Sequence, residues 1–324
     1  MMELKIFLFH HFVYVAAMAS LCFFVYYCYI IIEFMTYYQY SMNLATKKVV
    51  NAKNLSTNNR NQRYDCGVIL HAHINKCAGG TVRKWFSNHA PICNIESNEG
   101  LYDKNVVQYE PVWRKMIPQV DRFLANVSPK TGWRVLHVHH KSPGLMLIEN
   151  YIKKWEKSVE AKGCIFYKTT VLRDPLDRFI SNVNFNNVSL NIINSFMESR
   201  RNWLIRYLLF GLCGYEGKHL KCGYERHGIH THTSNLTKNH MKEIYKIANG
   251  FDLIGFKDDL DGYFDKIRQI TGWRNEVNQV NRIHRHKSSD TFNLTRSLIS
   301  KFIYLNENDY MFYYAMRNKS RQNF

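Results

Sequence analysis

The chain has 324 residues and carries 44 Lys and Arg against 26 Asp and Glu, a formal net charge of +18. This excess of positive charge points to an anionic partner, with nucleic acid, a membrane surface and an acidic polysaccharide as the candidates. None of the eight Cys residues has the spacing of a zinc site, so we predict no metal.

The first feature along the chain is an apolar segment. Phe12 to Ile32 contains no charged residue, and it is long enough to span a bilayer core as a helix of about 20 residues. A cleavable signal peptide is the alternative, because Ala17-Met18-Ala19 has the form of a cleavage site. However, the apolar run continues past that site and exceeds the roughly 7–15 residues of a signal peptide. We therefore predict a cytoplasmic tail at 1–11 and an uncleaved transmembrane anchor at 12–32.

A stem and one folded domain are predicted to follow the anchor. Residues 33–64 are assigned to the stem, since 43–63 are polar, rich in Asn and without apolar periodicity. Residues 65–324 suffice for a single large α/β core, and no repeat or Pro/Gly-rich linker divides them. An excess of N-x-[ST] sequons favours a lumenal domain, where nucleic acid is not an expected partner. The sequon asparagines are Asn54, Asn126, Asn187, Asn235, Asn293 and Asn318.

Cysteine usage is compatible with an oxidising lumen. Beyond the anchor the chain has an even set of cysteines, which allows disulfides without specifying their pairing. These are Cys66, Cys77, Cys93, Cys164, Cys213 and Cys222. Cys213 and Cys222 are close enough in sequence to close a short surface loop.

The stretch from Cys66 to Phe86 has the order of a phosphate-binding turn. Cys66 to His71 is mostly apolar and predicts a buried parallel strand. Gly79 and Gly80 form a turn, and we expect Thr81 to cap a helix that begins at Val82. This order aims backbone amides and the positive end of a helix dipole at an anion.

Lys76 adds a mobile positive charge to the same turn. The alternative is a purely structural turn. The turn is not the nucleotide triphosphatase loop, because in G-x-x-x-x-G-K-[ST] the lysine follows the second glycine, whereas Lys76 precedes both glycines here.

Two further strands are expected to end in functional side chains. Trp133 to His139 predicts the first, with His137 and His139 on one face because alternate residues of a strand point the same way. A surface patch or a core histidine is the alternative there.

Cys164 to Leu172 predicts the other strand, and Asp174 and Pro175 are expected to start a helix after it. Arg173 at the strand's end and Ser181 two turns along the helix are then able to reach one phosphate. The alternative is that Arg173 pairs with a neighbouring carboxylate and Ser181 faces water.

Three segments together resemble the membrane-bound Golgi carbohydrate sulfotransferases. H-I-N-K-C-A-G-G-T resembles the family's 5′-phosphosulfate loop, with matches at His73, Ile74, Lys76, Cys77, Ala78, Gly79, Gly80 and Thr81. TVLRDPLDRFIS resembles the 3′-phosphate element, with matches at Arg173, Asp174, Pro175, Arg178, Phe179 and Ser181. The segments Phe251 to Ile267 and Asn306 to Asn318 resemble the family's strand-then-helix segment and its closing helix.

The resemblance implies a P-loop-like central parallel sheet flanked by helices. It also implies transfer of a sulfuryl group from 3′-phosphoadenosine 5′-phosphosulfate to a glycan hydroxyl, as in the heparan sulfate 2-O- and 6-O-sulfotransferases. The family's histidine base maps by position onto His139, with His137 as support, although His140 also remains a candidate. Lys76 and the loop residues Cys77 to Thr81 would hold the phosphosulfate, and Arg173 and Ser181 the 3′-phosphate.

The expected partners are an anionic glycan acceptor and the Golgi membrane, which a single-pass type II protein would reach through its anchor. The densest basic stretch, Asn281 to Ser289, is a solvated loop or a grip for acidic groups. Two other function classes remain: a non-catalytic lumenal binder of the same fold, and a nucleotide kinase-like enzyme. The oligomeric state is left open.

Overall fold

The computed structural model describes Met18, Ser20 and residues 64–95, 112–138, 144–146, 148–211, 213–216, 219–222, 236–274 and 294–322. Contacts divide the chain into two units, Met1–Arg60 and Asn61–Phe324, and the second is the unit described below. The predicted tail, anchor and stem lie outside the described residues apart from Met18, Ser20 and Tyr64. Within the described part of the chain, no helix is both long and apolar enough to cross a bilayer.

The core of the second unit is a five-stranded sheet in which every neighbouring pair is parallel. A separate antiparallel hairpin is formed by β5 and β6. The strands are β1 (Gly67–Ala72), β2 (Ile92–Ile95), β3 (Trp133–Val138), β4 (Ile165–Leu172), β5 (Cys213–Glu216), β6 (His219–Cys222) and β7 (Leu253–Phe256). The sheet order is β2-β3-β1-β4-β7, so the strand that precedes the glycine turn is central.

Helices cover both faces of this sheet. They are α1 (Gly79–Ser87), α2 (Val112–Ala125), α3 (Glu149–Glu160), α4 (Pro175–Phe185), α5 (Ile193–Ser199), α6 (Trp203–Phe210), α7 (Lys238–Asn249), α8 (Leu260–Thr271), α9 (Arg296–Leu305) and α10 (Glu307–Gln322). The predicted α/β class with a helix-flanked parallel sheet is therefore confirmed.

Burial of β1 on both sides explains why its sequence is nearly continuous in apolar residues. Val68 and Leu70 lie in one hydrophobic cluster, with side chains of α2, α3, α6, α7 and α10. Ile69 points the other way, into a cluster with side chains of α1 and α8. A strand between two helical layers has no solvent face, so alternation of polar and apolar residues is lost.

The predicted strands and the predicted helix near 236–249 match the structure to within about two residues. The predicted segments Phe251 to Ile267 and Asn306 to Asn318 each end four residues before the end of the helix that they predict. Gly211 and Gly250 cap α6 and α7 as expected. One prediction was wrong in detail, because the single helix near 191–210 is two helices. The chain breaks between them at Asn202, whose left-handed backbone (φ 47°) brings its N–H to Asn306 Oδ1 at 2.8 Å. The elements β2, β5, β6, α2, α3 and α9 were not predicted.

A disulfide joins Cys66 to Cys164, at the starts of the adjacent strands β1 and β4, with Cα atoms 5.1 Å apart. The bridge closes a loop with a sequence separation of 98, and constraining a loop of that length in the unfolded chain stabilises the fold by about 4–5 kcal/mol in the chain-entropy account. Cys77 and Cys93 are free thiols. Cys213 and Cys222 are direct partners across the β5–β6 hairpin, and a bond between them stays a prediction.

The C-terminal N-x-x-D segment holds α6 in place. Asp309 is fully buried, and its two carboxylate oxygens accept the N–H groups of Leu204 (2.8 Å) and Ile205 (3.0 Å) in the first turn of α6. These are amides that a helix cannot satisfy internally. The closing helix therefore acts as a cap for a helix more than 100 residues earlier in the chain.

Candidate phosphate-binding site

The turn after β1 delivers helix α1 to the carboxyl edge of the sheet. Lys76 (φ 66°) and Ala78 (φ 63°) both have left-handed backbones, and Ala78 is the N-cap of α1. Val82 N–H donates to Ala78 O at 3.1 Å, which leaves the amides of Gly79, Gly80 and Thr81 as the first three of the helix. Such amides point out of a helix N-terminus, where a phosphate is favourable.

The predicted cap at Thr81 was wrong. The helix starts at Gly79, three residues before the predicted start at Val82, and no side chain caps it. Thr81 is instead buried in the first turn. The helix begins early because the left-handed Ala78 already turns the chain, so the two glycines are part of the helix and not of the turn.

Gly79 is required by a close contact with a histidine. A Cβ at this position would lie 1.7 Å from Nε2 of His73, so any side chain would displace the ring. His73 N–H donates to Val138 O at 2.9 Å and ties the start of the turn to the end of β3. The ring of His73 therefore packs directly against the first residue of α1, and the His73 backbone fixes the turn to β3.

Two cations of the predicted site meet at this turn. Nη1 of Arg173, the residue after β4, donates to the carbonyl oxygen of Lys76 at 3.2 Å. Burial and the nearby Arg173 charge lower the pKa of Lys76 to about 8. Burial also lowers the pKa of Arg173, against the opposing pull of Asp177, Cys77 and Asp174. Like charges held this close favour an anion between them.

Helix α4 begins as the sequence predicts. Asp174 is its N-cap and accepts the N–H groups of Leu176 and Asp177, and Pro175 occupies its first turn. Ser181 lies two turns into the helix and is half-buried. The structure therefore places Ser181 on the helix that starts next to Arg173, as the shared phosphate site requires.

Two other residues that match the family elements point into the core. The Cys77 thiol is buried, and burial raises its pKa to about 11 against the pull of Arg178 and Arg173. Its backbone N–H donates to Ile74 O at 3.1 Å. Arg178 is 1% exposed, with its guanidinium 4.1 Å from the centroid of the Trp203 ring. Arg178 is thus part of the packing around the turn and is not exposed to a ligand.

A buried polar layer lies beneath the turn, and the sequence reasoning missed most of it. His71, His137 and Thr169 are partners across β1, β3 and β4. The His137 ring lies 5.4 Å from that of His71 and 5.1 Å from that of His73, centroid to centroid. His71 Nδ1 is within hydrogen-bond distance of the hydroxyls of Thr169 (3.2 Å) and Tyr263 (3.3 Å). The alternation of His71 and His73 was the available signal.

The layer predicts a stability that depends on pH. Burial first, and then the charge of His73, hold the pKa of His71 well below its usual value. A histidine with a depressed folded pKa contributes stability that is present above about pH 6.5 and is lost as the pH falls below it, by at most about 1.4 kcal/mol per pH unit. We expect His71→Asn to flatten this fall in urea titrations between pH 7.5 and 5.

Two features of that experiment isolate the histidine. Asp252 and Asp309, whose pKa values burial raises to about 6, favour folding at low pH, but they are common to both proteins and cancel in the comparison. Thr169→Val removes a hydrogen-bond partner of the same ring without removing a titrating group. Thr169→Val should lower the free energy of unfolding at every pH but leave its pH dependence unchanged. If His71→Asn also left the pH dependence unchanged, His71 would not be the titrating group.

The predicted base lies just past the described part of β3. His139 and His140 are outside the described residues, as is the basic stretch 281–289. His137 is described and fully buried, so it does not present its ring to an acceptor. Val138, the neighbour of His139, accepts the hydrogen bond from His73 at the start of the turn. A supporting role for His137 stays a prediction.

A small cleft opens at the ends of β1 and β3, on the side of the sheet opposite α1, with space for little more than one water molecule. Its walls are mostly apolar and include Val138, Leu145 and Leu208. Tyr207 lines it as well and donates its hydroxyl proton to the His73 carbonyl at 3.2 Å. The backbone of His73 is therefore fixed twice, through its carbonyl by Tyr207 and through its N–H by Val138.

No family model matches the chain, and no curated protein or solved structure shows significant similarity to it. Among the described residues, no group of His, Cys, Asp or Glu side chains is arranged to hold a metal ion.

Proposed function

We propose that this chain is a carbohydrate sulfotransferase of the Golgi lumen. It would transfer a sulfuryl group from 3′-phosphoadenosine 5′-phosphosulfate to a hydroxyl of an anionic glycan, a glycosaminoglycan. The resemblance of the two phosphate elements supports this reaction. The more specific description of the fold as P-loop-like belongs to the same proposal.

The observation that carries the proposal is the meeting of Lys76 and Arg173 at the turn that leads into α1. The two residues come from turns about 100 positions apart in sequence, yet Arg173 donates to the Lys76 backbone. In the described part of the structure, Arg173 Nε is buried and has no hydrogen-bond partner. A second phosphate would satisfy that donor, in keeping with a nucleotide that carries phosphates at both the 5′ and 3′ positions.

The residues divide the chemistry among them. His139 would take the proton from the acceptor hydroxyl as its oxygen bonds to sulfur. The bond from sulfur to the 5′-phosphate oxygen breaks, and its electron pair stays on that oxygen. Lys76 and the amides of residues 78–81 would stabilise the resulting negative charge. Arg173 and Ser181 would hold the 3′-phosphate and so align the transfer.

The acceptor is expected to bring its hydroxyl to the carboxyl end of β3, where His139 follows Val138 in the chain. The +18 charge favours an acidic glycan as the acceptor.

The compartment is part of the proposal. A disulfide between Cys66 and Cys164 is typical of an oxidising lumen. The described sequon asparagines, Asn126, Asn187 and Asn318, are all exposed, as attachment of a glycan requires. A type II anchor at 12–32 would place this domain in the Golgi lumen. A nucleotide kinase-like enzyme and a non-catalytic binder are the outcomes against which the proposal is tested.

The decisive experiment compares nucleotides. We expect 3′-phosphoadenosine 5′-phosphate to raise the melting temperature and ATP to leave it unchanged, because Arg173 and Ser181 require a 3′-phosphate. Arg173→Lys should weaken binding about tenfold or more, although the charge is kept, because lysine cannot form two parallel hydrogen bonds to one phosphate.

Arg83→Lys is the matched control, since Arg83 is exposed on α1 and outside the predicted contacts. Stabilisation by ATP alone would favour the kinase-like alternative. Binding of the bisphosphate without transfer of labelled sulfate to any desulfated polysaccharide would favour the non-catalytic binder.

A further inference from the structure

The last residue of α4, Phe185, is a large apolar side chain on the surface, with 57% of its area exposed. Its ring faces the site: the Lys76 Nζ lies 3.6 Å from the ring centroid. An ammonium group over the face of an aromatic ring is attracted by the negative face of the π-system. The exposed ring therefore contacts the cation on which the proposed reaction depends.

Helix geometry explains why the ring lies at this point. Phe185 follows Ser181 by four residues, and residues four apart share one face of a helix. Ser181, the proposed 3′-phosphate ligand, and the Phe185 ring that contacts Lys76 therefore lie on the same face of α4. Both residues lie on a helix that is fixed at its start by the Asp174 cap.

The Lys76 ammonium needs a partner to stay where it is. It is half-buried and close to the Arg173 charge, and both effects disfavour its charged form, so its pKa falls to about 8. A flexible lysine escapes such repulsion by turning into solvent. The Phe185 ring opposes that movement because it attracts the cation.

We propose that Phe185 is a positioning residue for Lys76. Its ring holds the ammonium at the mouth of the phosphate turn, beside Arg173, until an oxygen of the 5′-phosphate or phosphosulfate becomes the partner of the ammonium. The identity of that anion rests on the proposed function, whereas the contact itself does not.

The first test needs no nucleotide. Reductive methylation with ¹³C-formaldehyde labels Lys76 with methyl groups, whose NMR signal is assigned from its loss in Lys76→Arg. A ring below the methyls should move that signal upfield of the other lysines. The shift should vanish in Phe185→Leu and persist in Phe185→Tyr, which keeps the ring. A normal Lys76 signal in the unmutated protein would overturn the contact.

The second test measures nucleotide affinity by calorimetry. Phe185→Leu should bind 3′-phosphoadenosine 5′-phosphate about 3–10-fold more weakly, and Phe185→Tyr should restore most of the affinity. Adenosine 3′-monophosphate has no 5′-phosphate for Lys76 to contact, so Phe185→Leu should bind it as well as the unmutated protein does. Tyr304→Leu, at a 78% exposed aromatic of α9, is the matched control and should change neither affinity.

The outcomes separate this inference from the proposed function. An equal loss for both nucleotides would mean that the ring contacts the base or ribose, and it would overturn the positioning role. Unchanged affinity of Phe185→Leu for the bisphosphate would overturn it too. If the unmutated protein binds neither nucleotide, the proposed function fails together with the anion assigned to Lys76, while the NMR shift still decides the contact.

Discussion

Replacement of His139 by alanine should lower the turnover number of sulfate transfer by about 10²–10⁴-fold, the usual contribution of a positioned general base. Affinity for 3′-phosphoadenosine 5′-phosphate should stay nearly unchanged, because the base contacts the acceptor hydroxyl and not the nucleotide. Single-turnover transfer of labelled sulfate and calorimetry measure the two quantities separately. Lys76→Ala should lower both, because its charge contacts the nucleotide before and during the reaction.

The neighbouring histidines are the controls for that assignment. His140→Ala should retain turnover if His139 holds the proton. His137→Ala removes a fully buried ring that packs against His71 and His73, so any loss of turnover should come with a lower melting temperature. His139→Ala should leave the melting temperature unchanged. Full turnover in all three variants would remove the histidine base from the mechanism.

Replacement of Asp309 by alanine should destabilise the fold by about 3–5 kcal/mol, as expected when one partner of a buried charge pair is removed. The change leaves two buried amides of α6 without their acceptor and leaves Arg178 and Arg206 without the nearby carboxylate. Urea unfolding at pH 7.5 measures the loss. Asp309→Asn keeps one acceptor oxygen and should cost less.

The matched control is Asp258→Ala. Asp258 pairs with Arg317 on the surface, and an exposed ion pair contributes only about 0–1 kcal/mol. Asp309→Ala should also weaken nucleotide binding, because α6 carries both Trp203 beneath Arg178 and Tyr207 on the His73 carbonyl. A loss below about 1 kcal/mol would show that Asp309 does not hold α6.

Local signals were sufficient for much of this fold. The strands β1, β3 and β4 were readable because each is a short apolar run that ends in a distinct polar or glycine signal. Asp174 and Pro175 marked the start of α4, and Gly211 and Gly250 the ends of α6 and α7, because caps depend on residues adjacent in sequence. Alternation along a strand likewise needs no tertiary information.

Features that depend on distant neighbours were beyond such signals. Helix α1 begins at Gly79 and not at the predicted Val82, because the left-handed Ala78 and the His73 ring determine the turn. Helices α5 and α6 are separate because the Asn202 N–H donates to the Asn306 side chain. The pairing of Cys66 with Cys164 follows from the adjacency of β1 and β4, which spacing does not reveal.

The candidate site divides in the same way. The sequence by itself determined that Lys76, Gly79 and Arg173 would follow strands, because motif order and strand ends are properties of the chain. Only the tertiary structure decided that Arg173 would bond to the Lys76 backbone and that Phe185 would lie under its ammonium. The reason is physical: charge repulsion, burial and ring contact act through space, between residues about 100 positions apart along the chain.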